Sequence, residues 1–270
     1  MDTHTLPAGI AIVTGATGGM GSQAARQLAA AGWPELLLCD LDAAHLEAVA
    51  APLRQDGTRV EVLAGDIANP AWPERLAAAL GGRSVGAVVH TAGIAPQMAP
   101  AGRILAVNLD ATVRLVDVIR PRMSSGGAAV LFASNSSYFP MPPEAAAAFT
   151  QPLPPDGSTA LAPFATTPER AYPLSKLGVR ALVKREAKSF GVRGARLVSL
   201  SPGVIDTPMT RSEVSKSEIA RRMVETSALA RMGRADELAA VAVFLCSPAA
   251  SFITGVDILV DGGQTAALGY

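Results

Sequence analysis

The chain has 270 residues, and its 23 Lys and Arg residues balance its 23 Asp and Glu residues, so the formal net charge is zero. This balance, without a basic face or tail, argues against nucleic acid or an anionic membrane surface as the main partner. The length suffices for a large α/β domain with a sizeable core, and no apolar run reaches the roughly 18 residues that a membrane span requires.

Short apolar runs alternate with longer amphipathic stretches along the chain. The predicted strands are Ile10–Thr14, Leu36–Cys39, Val60–Leu63, Val85–His90, Ala129–Ala133, Ala195–Leu200 and Val256–Val260. The predicted helices are Met20–Ala31, Ala43–Gln55, Trp72–Leu80, Ile104–Met123, Ala171–Phe190 and Asp236–Leu245. Most runs are continuously apolar, as is typical of strands covered on both faces. The sequence therefore predicts an α/β fold, a doubly wound parallel sheet of about seven strands with helices on both faces.

A glycine-rich turn lies between the first predicted strand and the first predicted helix. Gly15 permits the tight turn, Gly19 lets the backbone approach a phosphate, and Gly21 allows the helix to pack closely on the sheet. Backbone N–H groups at the start of this helix would face a pyrophosphate, so the turn predicts a dinucleotide site. The residues expected to contact the dinucleotide are Gly15, Thr17, Gly18, Gly19, Met20 and Gly21.

Asp40 ends the second predicted strand. A carboxylate there can accept hydrogen bonds from an adenosine ribose and would repel a 2′-phosphate. Neither the glycine motif nor the segment directly after Asp40 carries Lys or Arg, so we expect NAD as the cofactor, with NADP less favoured. The alternative is that Asp40 or Asp42 only caps the following helix.

Segments after the third and fourth predicted strands extend the expected cofactor site. Asp66 and Ile67 follow the third strand, where an adenine ring would lie, although Asp66 also suits the start of a helix. The small residues after the fourth strand would let the cofactor ribose lie against the backbone. Leu41, directly after Asp40, also joins the expected site. The other residues added to the site are Asp66, Ile67, Thr91, Ala92 and Gly93.

Tyr172 and Lys176 are four residues apart, so they share one face of a predicted helix. An ammonium beside a phenol stabilises the phenolate, and Tyr172 can then exchange a proton nearer neutral pH than its free pKa of about 10 allows. Beside a dinucleotide site, the pair indicates hydride transfer between a nicotinamide and an alcohol or carbonyl. The alternative is an exposed aromatic residue and a solvated charge.

Residues 138–168 interrupt the alternation with closely spaced prolines, which prevent a regular strand and allow only short helical turns such as Pro143–Phe149. Long irregular segments are usually functional or mobile loops, and we expect this insertion beside the substrate site. Apolar residues in the segments expected around the pocket indicate an apolar secondary alcohol. These residues are Phe139, Met141, Phe149, Phe164 and Met209.

Several motifs, in their order and spacing, make the chain resemble the short-chain dehydrogenase/reductase (SDR) family over nearly its whole length. The motifs are TGATGGMG, HTAG, VNLDAT, YPLSK, SPGVIDTP and FITGVDILVDGG. The resemblance implies a Rossmann-type fold, a single dinucleotide-binding domain over residues 1–270, and an NAD(P)-dependent oxidoreductase. Within the family, the chain is most similar to bacterial 3α-hydroxysteroid dehydrogenase/carbonyl reductases, in its short stretch from Gly93 to Asn108 and in its insertion.

The resemblance also implies an Asn-Ser-Tyr-Lys active site. Asn108 would distort its helix and position a water linked to Lys176, which would also hold the nicotinamide ribose beside Tyr172. The substrate oxygen would be polarised by Ser134, which aligns without gaps, or by Ser136, in the adjacent pair Ser136-Ser137. The turn after the sixth strand would flank the nicotinamide, with its threonine bonded to the carboxamide, and residues 208–230 would form a substrate lid. The residues of that turn are Pro202, Gly203, Val204, Ile205 and Thr207.

Two other functions are left open: an epimerase or dehydratase acting on a sugar, and an NAD-binding regulator without turnover. We expect a homo-oligomer, a dimer favoured over a tetramer because the insertion would cover the long helices, and a small-molecule substrate without nucleic acid, membrane or metal. Cys39 and Cys246 lie in separate apolar runs, which favours buried thiols and a reducing compartment. Residues 1–9 lack a signal-peptide pattern, so a cytoplasmic location is expected.

Overall fold

The computed structural model describes residues 5–147, 149, 158–207, 210–211 and 218–270. The strands are β1 (Ile10–Thr14), β2 (Glu35–Asp40), β3 (Arg59–Ala64), β4 (Val85–His90), β5 (Met123–Phe132), β6 (Arg196–Pro202) and β7 (Asp257–Val260). The helices are α1 (Gly19–Ala30), α2 (Ala43–Gln55), α3 (Trp72–Leu80), α4 (Ala101–Leu105), α5 (Ala111–Ile119), α6 (Pro143–Ala147), α7 (Ser158–Leu161), α8 (Pro168–Gly191), α9 (Glu218–Glu225), α10 (Ala235–Cys246) and α11 (Gln264–Ala267).

The seven strands form one sheet in the order β3-β2-β1-β4-β5-β6-β7, and every neighbouring pair is parallel. This confirms the predicted doubly wound sheet. The chain moves outward from β1 to β3 and then returns to place β4 on the other side of β1. Ligands of such sheets bind at the carboxyl ends of the strands where this order reverses, which here means beyond β1 and β4.

Helices cover the sheet on both faces, and this explains the continuously apolar strands. Every residue of β1 and β4 is buried. On one face the core includes Trp72 of α3, Val116 of α5 and Val183 of α8. On the other face it includes Leu28 of α1, Leu46 of α2 and Leu245 of α10. Within the described part of the chain, no helix has the length and apolarity needed to cross a membrane.

The helix predicted over Ile104–Met123 is divided. A π-helical turn at Ala106–Asp110 separates α4 from α5, and Asn108 lies at its centre. The family resemblance implied a distortion at this asparagine. The prediction of the carboxyl end was wrong, because α5 ends at Ile119, a 3₁₀ turn with Pro121 at its second position follows, and β5 already begins at Met123. Proline offers no N–H to continue an α-helix.

The described parts of the insertion pack against the helices beside it. Ala145 in α6 and Leu161 in α7 are fully buried in the core. The Asp110 carboxylate at the end of the π turn accepts hydrogen bonds from the backbone N–H and hydroxyl of Ser158, at 2.8 and 2.6 Å. The insertion is therefore anchored next to Asn108, and the turn predicted at Pro143–Phe149 is observed as α6.

Candidate cofactor and active site

The glycine turn has the geometry that its sequence predicts. Gly15 has a φ of +69°, which favours glycine. A Cβ added to Gly21 would lie 2.1 Å from the Gly15 carbonyl oxygen, whereas one added to Gly19 would make only ordinary contacts, with the Thr207 methyl group at 3.5 Å and the Ala235 Cβ atom at 3.9 Å. Gly21 is buried and Gly19 is exposed. The first and last glycines are thus required by the turn itself, and the middle one leaves backbone open to a ligand.

These contacts predict different consequences for two alanine variants. Gly21→Ala forces the turn apart and should destabilise the fold by about 1–3 kcal/mol or more, as overpacking in cores does. Gly19→Ala should leave the melting temperature within about 2 °C, because nothing in the described structure lies closer than ordinary contact. It should nevertheless weaken nicotinamide cofactor binding. Calorimetry of both variants and cofactor titration of Gly19→Ala measure this, and equal melting temperatures would contradict the packing argument.

The Asp40 carboxylate is bonded to the glycine turn. One oxygen accepts hydrogen bonds from the Thr17 N–H and hydroxyl, at 2.9 and 2.6 Å, and the other accepts the Leu41 N–H at 2.7 Å. The helix cap belongs to Asp42, whose side chain accepts the His45 N–H at 2.8 Å at the start of α2. The capping alternative therefore holds for Asp42 and not for Asp40, which lies at the carboxyl end of β2.

Asp66 and Ile67 take separate positions after β3. One Asp66 carboxylate oxygen accepts the Ala68 N–H at 2.9 Å, and the other forms a salt bridge with Arg103 of α4 at 2.6 Å. Ile67 is buried in the core. Arg103 cannot be predicted as part of this site from the sequence, because the two ion-pair partners are 37 residues apart and no local pattern connects them.

The segment Thr91-Ala92-Gly93 joins the glycine turn to the candidate catalytic residues. The Thr91 hydroxyl donates to the Thr14 carbonyl at 2.8 Å. A Cβ added to Gly93 would lie 3.2 Å from both the Asn108 Oδ1 atom and the Lys176 Nζ atom. Three predicted site residues therefore meet at Gly93, just beyond the end of β4.

Helix α8 carries Tyr172 and Lys176 on one face. The helix begins at Pro168, whose missing N–H costs nothing in a first turn, and the Thr167 side chain caps it. The Lys176 Nζ atom lies 5.9 Å from the centre of the Tyr172 ring and donates to the Phe132 carbonyl at 2.9 Å. Lys176 is 5% exposed, and burial lowers the pKa of its ammonium to about 8. The alternative of a solvated lysine is therefore wrong.

The Asn108 side chain connects two segments of the candidate site. Its Oδ1 atom accepts the Ile94 N–H at 2.8 Å, and its Nδ2 group donates to the Ile94 carbonyl at 3.0 Å and to the Ser175 hydroxyl at 3.2 Å. The Asn108 amide is bonded to the loop after β4 and to α8, so the side chain can hold these two segments in position. The backbone carbonyl of Asn108 is a second group that can act on its neighbours.

Both candidate serines follow β5. Ser134 is buried, and its Oγ atom accepts from the Ser136 N–H and hydroxyl, at 3.2 and 3.0 Å. The 3₁₀ turn that starts at Asn135 is held against α8, since Arg180 donates to the Ser137 carbonyl at 2.9 Å and lies 3.6 Å from the centre of the Tyr138 ring. The assignment of Ser134 over Ser136 stays a prediction. Arg180 lies four residues after Lys176 and is absent from the predicted site.

The turn after β6 returns to the glycine motif. Pro202 is the last residue of β6, and a Cβ added to Gly203 would lie 2.7 Å from the Asp261 backbone. Val204 accepts the Gly233 N–H at 3.0 Å, and Ile205 is buried. The Thr207 methyl group lies 3.5 Å from the position that a Cβ on Gly19 would take. The segments predicted to contact the pyrophosphate and the nicotinamide are therefore neighbours.

The predicted lid and apolar pocket are described only in part. Met209 and residues 212–217 lie outside the described residues, whereas α9 belongs to the predicted lid and its Met223 carbonyl accepts the Gln264 amide at 3.1 Å. A Cβ added to Gly178 would meet Leu109 and Phe149, so Phe149 packs beside α8 against the core. The Phe139 ring is 5.7 Å from that of Tyr270, and Met141 and Phe164 pack on the core. Packing therefore accounts for most of the predicted apolar set.

The fold and the site together define a class of protein, a nucleotide-binding α/β protein with a Tyr-Lys helix beside its glycine turn. Comparison with known families agrees. The family model described as short chain dehydrogenase matches residues 9–147, and that described as enoyl-(acyl carrier protein) reductase matches residues 158–265. The chain belongs to the short-chain dehydrogenase/reductase family and is an oxidoreductase of that family.

Similar curated proteins align along almost the whole chain. A short-chain dehydrogenase/reductase, bsc3, from Alternaria brassicicola is 33% identical, with 95% of this chain and 96% of the relative covered. D-threitol dehydrogenase from Mycolicibacterium smegmatis is 31% identical, with 95% and 92% covered. Galactitol 2-dehydrogenase (L-tagatose-forming) from Cereibacter sphaeroides is 31% identical, with 98% and 99% covered.

Solved structures show the same fold. A short-chain dehydrogenase/reductase described as a glucose/ribitol dehydrogenase from Brucella melitensis superposes with a TM-score of 0.75 at 27% identity, covering 94% of this chain and 96% of that one. A dehydrogenase/reductase from Sinorhizobium meliloti gives a TM-score of 0.77 at 25% identity, with 97% of both chains covered.

Proposed function

We propose that the chain is a nicotinamide-dependent dehydrogenase that interconverts a secondary alcohol and a ketone. The observation that carries the proposal is the buried Lys176, on the Tyr172 face of α8, bordering Gly93 together with Asn108. Burying this cation costs folding free energy, and groups with shifted pKa values cluster at functional sites. Members of the family use a nicotinamide cofactor, and the glycine turn has the form that such a cofactor requires.

The residues of the glycine turn fit a dinucleotide. Gly18 and Gly19 are exposed at the start of α1, where N–H groups without helical partners attract phosphates. Asp40 would hold the adenosine ribose, and Lys176 with Tyr172 would hold the nicotinamide ribose. The remaining contacts would come from Asp66, Ile67, the segment 91–93 and the turn 202–207. A bound nicotinamide supplies hydride transfer at the carbinol carbon.

The chain's own residues would handle the proton. In oxidation, the Tyr172 phenolate accepts the substrate's hydroxyl proton as the carbonyl forms, and in reduction its phenol returns that proton to the alkoxide. Lys176 stabilises the phenolate by its charge. Ser134, with Ser136 as the alternative, donates a hydrogen bond to the substrate oxygen and favours the charge that develops there.

We further propose a preference for NAD over NADP, because the Asp40 carboxylate would repel a 2′-phosphate. Replacing Asp40 with serine should lower kcat/KM for NAD by about 10- to 100-fold, the value of one or two hydrogen bonds to a charged group. It should also reduce the difference in kcat/KM between NAD and NADP. Asp42→Ser is the matched control, because serine is also a good helix cap. Initial rates with both cofactors measure the effect, and a wild-type preference for NADP would overturn this part of the proposal.

Two substrate classes remain candidates. The resemblance to 3α-hydroxysteroid dehydrogenase/carbonyl reductases favours an apolar alcohol, whereas the relatives that act on D-threitol and galactitol favour a polyol. An NADH-absorbance assay with a steroid alcohol, cyclohexanol, D-threitol and galactitol separates them. Turnover of none of these, with either cofactor and in either direction, would count against the dehydrogenase and favour the regulator or a sugar-modifying SDR.

We also propose a domain organisation, a location and an oligomeric state for the chain. The chain would act as one domain in the cytoplasm, where the buried free thiols Cys39 and Cys246 stay reduced. It would form a dimer, because Phe149 of the insertion packs beside Gly178 of α8 and α7 contacts the π turn, so the insertion already covers part of this surface. Light scattering after size exclusion measures the mass, and a tetramer would count against this covering effect.

A further inference from the structure

Five buried polar side chains run from the glycine turn to the Tyr172 helix. They are Thr14, His90, Thr112, Asn108 and Ser175, each at most 2% exposed. Thr14 ends β1 and its register partner His90 ends β4, while Thr112 lies in α5 and Ser175 lies between Tyr172 and Lys176. We call these five residues the buried brace.

Hydrogen bonds connect the brace without a gap. The His90 Nδ1 atom is 2.6 Å from the Thr14 hydroxyl, and its Nε2 atom is 2.8 Å from the Thr112 hydroxyl. Thr112 donates to the Asn108 carbonyl at 2.8 Å. The Asn108 amide then donates to Ser175, whose hydroxyl donates to the Tyr172 carbonyl at 2.7 Å. The connection thus reaches from the residue before Gly15 to the backbone of Tyr172.

The donors and acceptors place one proton of His90. A carbonyl can only accept, so the Thr112 proton points to Asn108, and Thr112 must accept from His90 Nε2. Burial, with a smaller effect of the Lys176 charge, lowers the pKa of His90 to about 3, so the imidazole is neutral near pH 7. With its proton on Nε2, the Nδ1 atom then accepts from Thr14.

We propose that His90, Thr112 and Ser175 are positioning residues for the reaction, because they set the π turn and the first turns of α8 relative to the cofactor-binding glycine turn. The inference rests on the proposed dehydrogenase function. The brace residues need not touch the substrate or the cofactor. A proton donor must stay close to its reacting atom, and a misplacement of about 1 Å can cost a factor of about 100 in rate.

The test compares variants of Thr112. Thr112→Val keeps the shape and removes the hydroxyl, and we expect kcat to fall by about 10-fold or more with the KM for the cofactor unchanged. Thr112→Ser restores the hydroxyl and should return kcat to within about twofold of the wild type. Thr254→Val is the control, because it removes two hydrogen bonds to Leu197 at the opposite end of the sheet. It should lower the melting temperature and leave kcat unchanged.

A second variant tests the continuity of the brace. Ser175→Ala should also lower kcat, and combined with Thr112→Val it should cost less than the product of the separate losses, because a connection already broken cannot be broken again. If Thr112→Val does not fold, Ser175→Ala tests the brace alone. An unchanged kcat of Ser175→Ala then overturns the brace.

The outcomes separate the brace from the proposed function. If the wild type oxidises an alcohol and Thr112→Val retains full kcat, or if Thr112→Val and Thr112→Ser are equally slow, the brace is wrong and the dehydrogenase stands. If the wild type turns over no alcohol or ketone of the panel, the proposed function fails and the brace's role in it fails with it. Nitrogen-15 shifts of His90 that indicate an Nδ1–H tautomer would also overturn the brace.

Discussion

Replacing Tyr172 with phenylalanine should lower kcat by a factor of about 10²–10⁴, the usual contribution of a positioned acid or base. The ring of Tyr172 packs against the hydrophobic core, and phenylalanine keeps that packing while removing the hydroxyl. Cofactor affinity should change far less than kcat, because the glycine turn and Asp40 are untouched. Steady-state rates with a substrate from the panel, together with cofactor titration, measure both quantities.

Tyr138→Phe is the matched control for Tyr172→Phe. The Tyr138 hydroxyl donates to the Asp257 carboxylate at 2.7 Å, and burial together with that carboxylate raises the pKa of Tyr138 to about 12. It therefore serves the structure and does not exchange protons near neutral pH. Its removal should cost stability and leave turnover within a few-fold. Full turnover by Tyr172→Phe would show that another group acts as the acid and base.

Replacing Lys176 with methionine should raise stability while it lowers turnover. The ammonium is buried, and among the residues that the structure describes its bond goes to the Phe132 carbonyl, with no carboxylate paired to it. A pKa of about 8 in the folded chain, against 10.5 unfolded, means that folding with this proton bound costs about 3 kcal/mol at pH 7. Methionine removes that cost, so the free energy of unfolding should rise by about 1–3 kcal/mol.

The lowered pKa of Lys176 also predicts how the free energy of unfolding depends on pH. Between pH 8 and 10.5 the unfolded chain still binds the lysine proton and the folded chain has released it, so the contribution of Lys176 to the free energy of unfolding should rise with pH in this window. From pH 7 to 9.5 the gain is about 2 kcal/mol, and Lys176→Met should lack it. Urea denaturation at both pH values measures the difference.

Lys184→Met controls for the loss of a lysine from the same helix. Lys184 is exposed on α8, so its replacement should change neither the slope with pH nor the rate. Lys176→Met should lower kcat by about 10²-fold or more, because the phenolate loses its neighbouring charge. A less stable Lys176→Met variant with an unchanged pH slope would contradict the buried-charge account.

The sheet could be predicted well where burial is uniform. β1 and β4 have the predicted bounds because every residue in them is covered on both faces. β5 begins at Met123, six residues before the predicted start, because Ser124 to Gly127 lack the apolar pattern although they extend the strand. Hydrophobic patterning detects the covered part of a strand and misses the part that lies near the surface.

Local motifs determined the candidate site. Gly15, Gly21 and the Tyr172–Lys176 spacing follow from steric and helical rules that act within a few residues, so the sequence alone determined the glycine turn and the shared helical face. The tertiary structure decided the burial of Lys176 against Phe132 and the brace from Thr14 to Ser175. Three of these contacts join residues 44, 76 and 67 positions apart. Only the packed sheet and helices bring them together, because no short-range pattern encodes a hydrogen bond between distant segments.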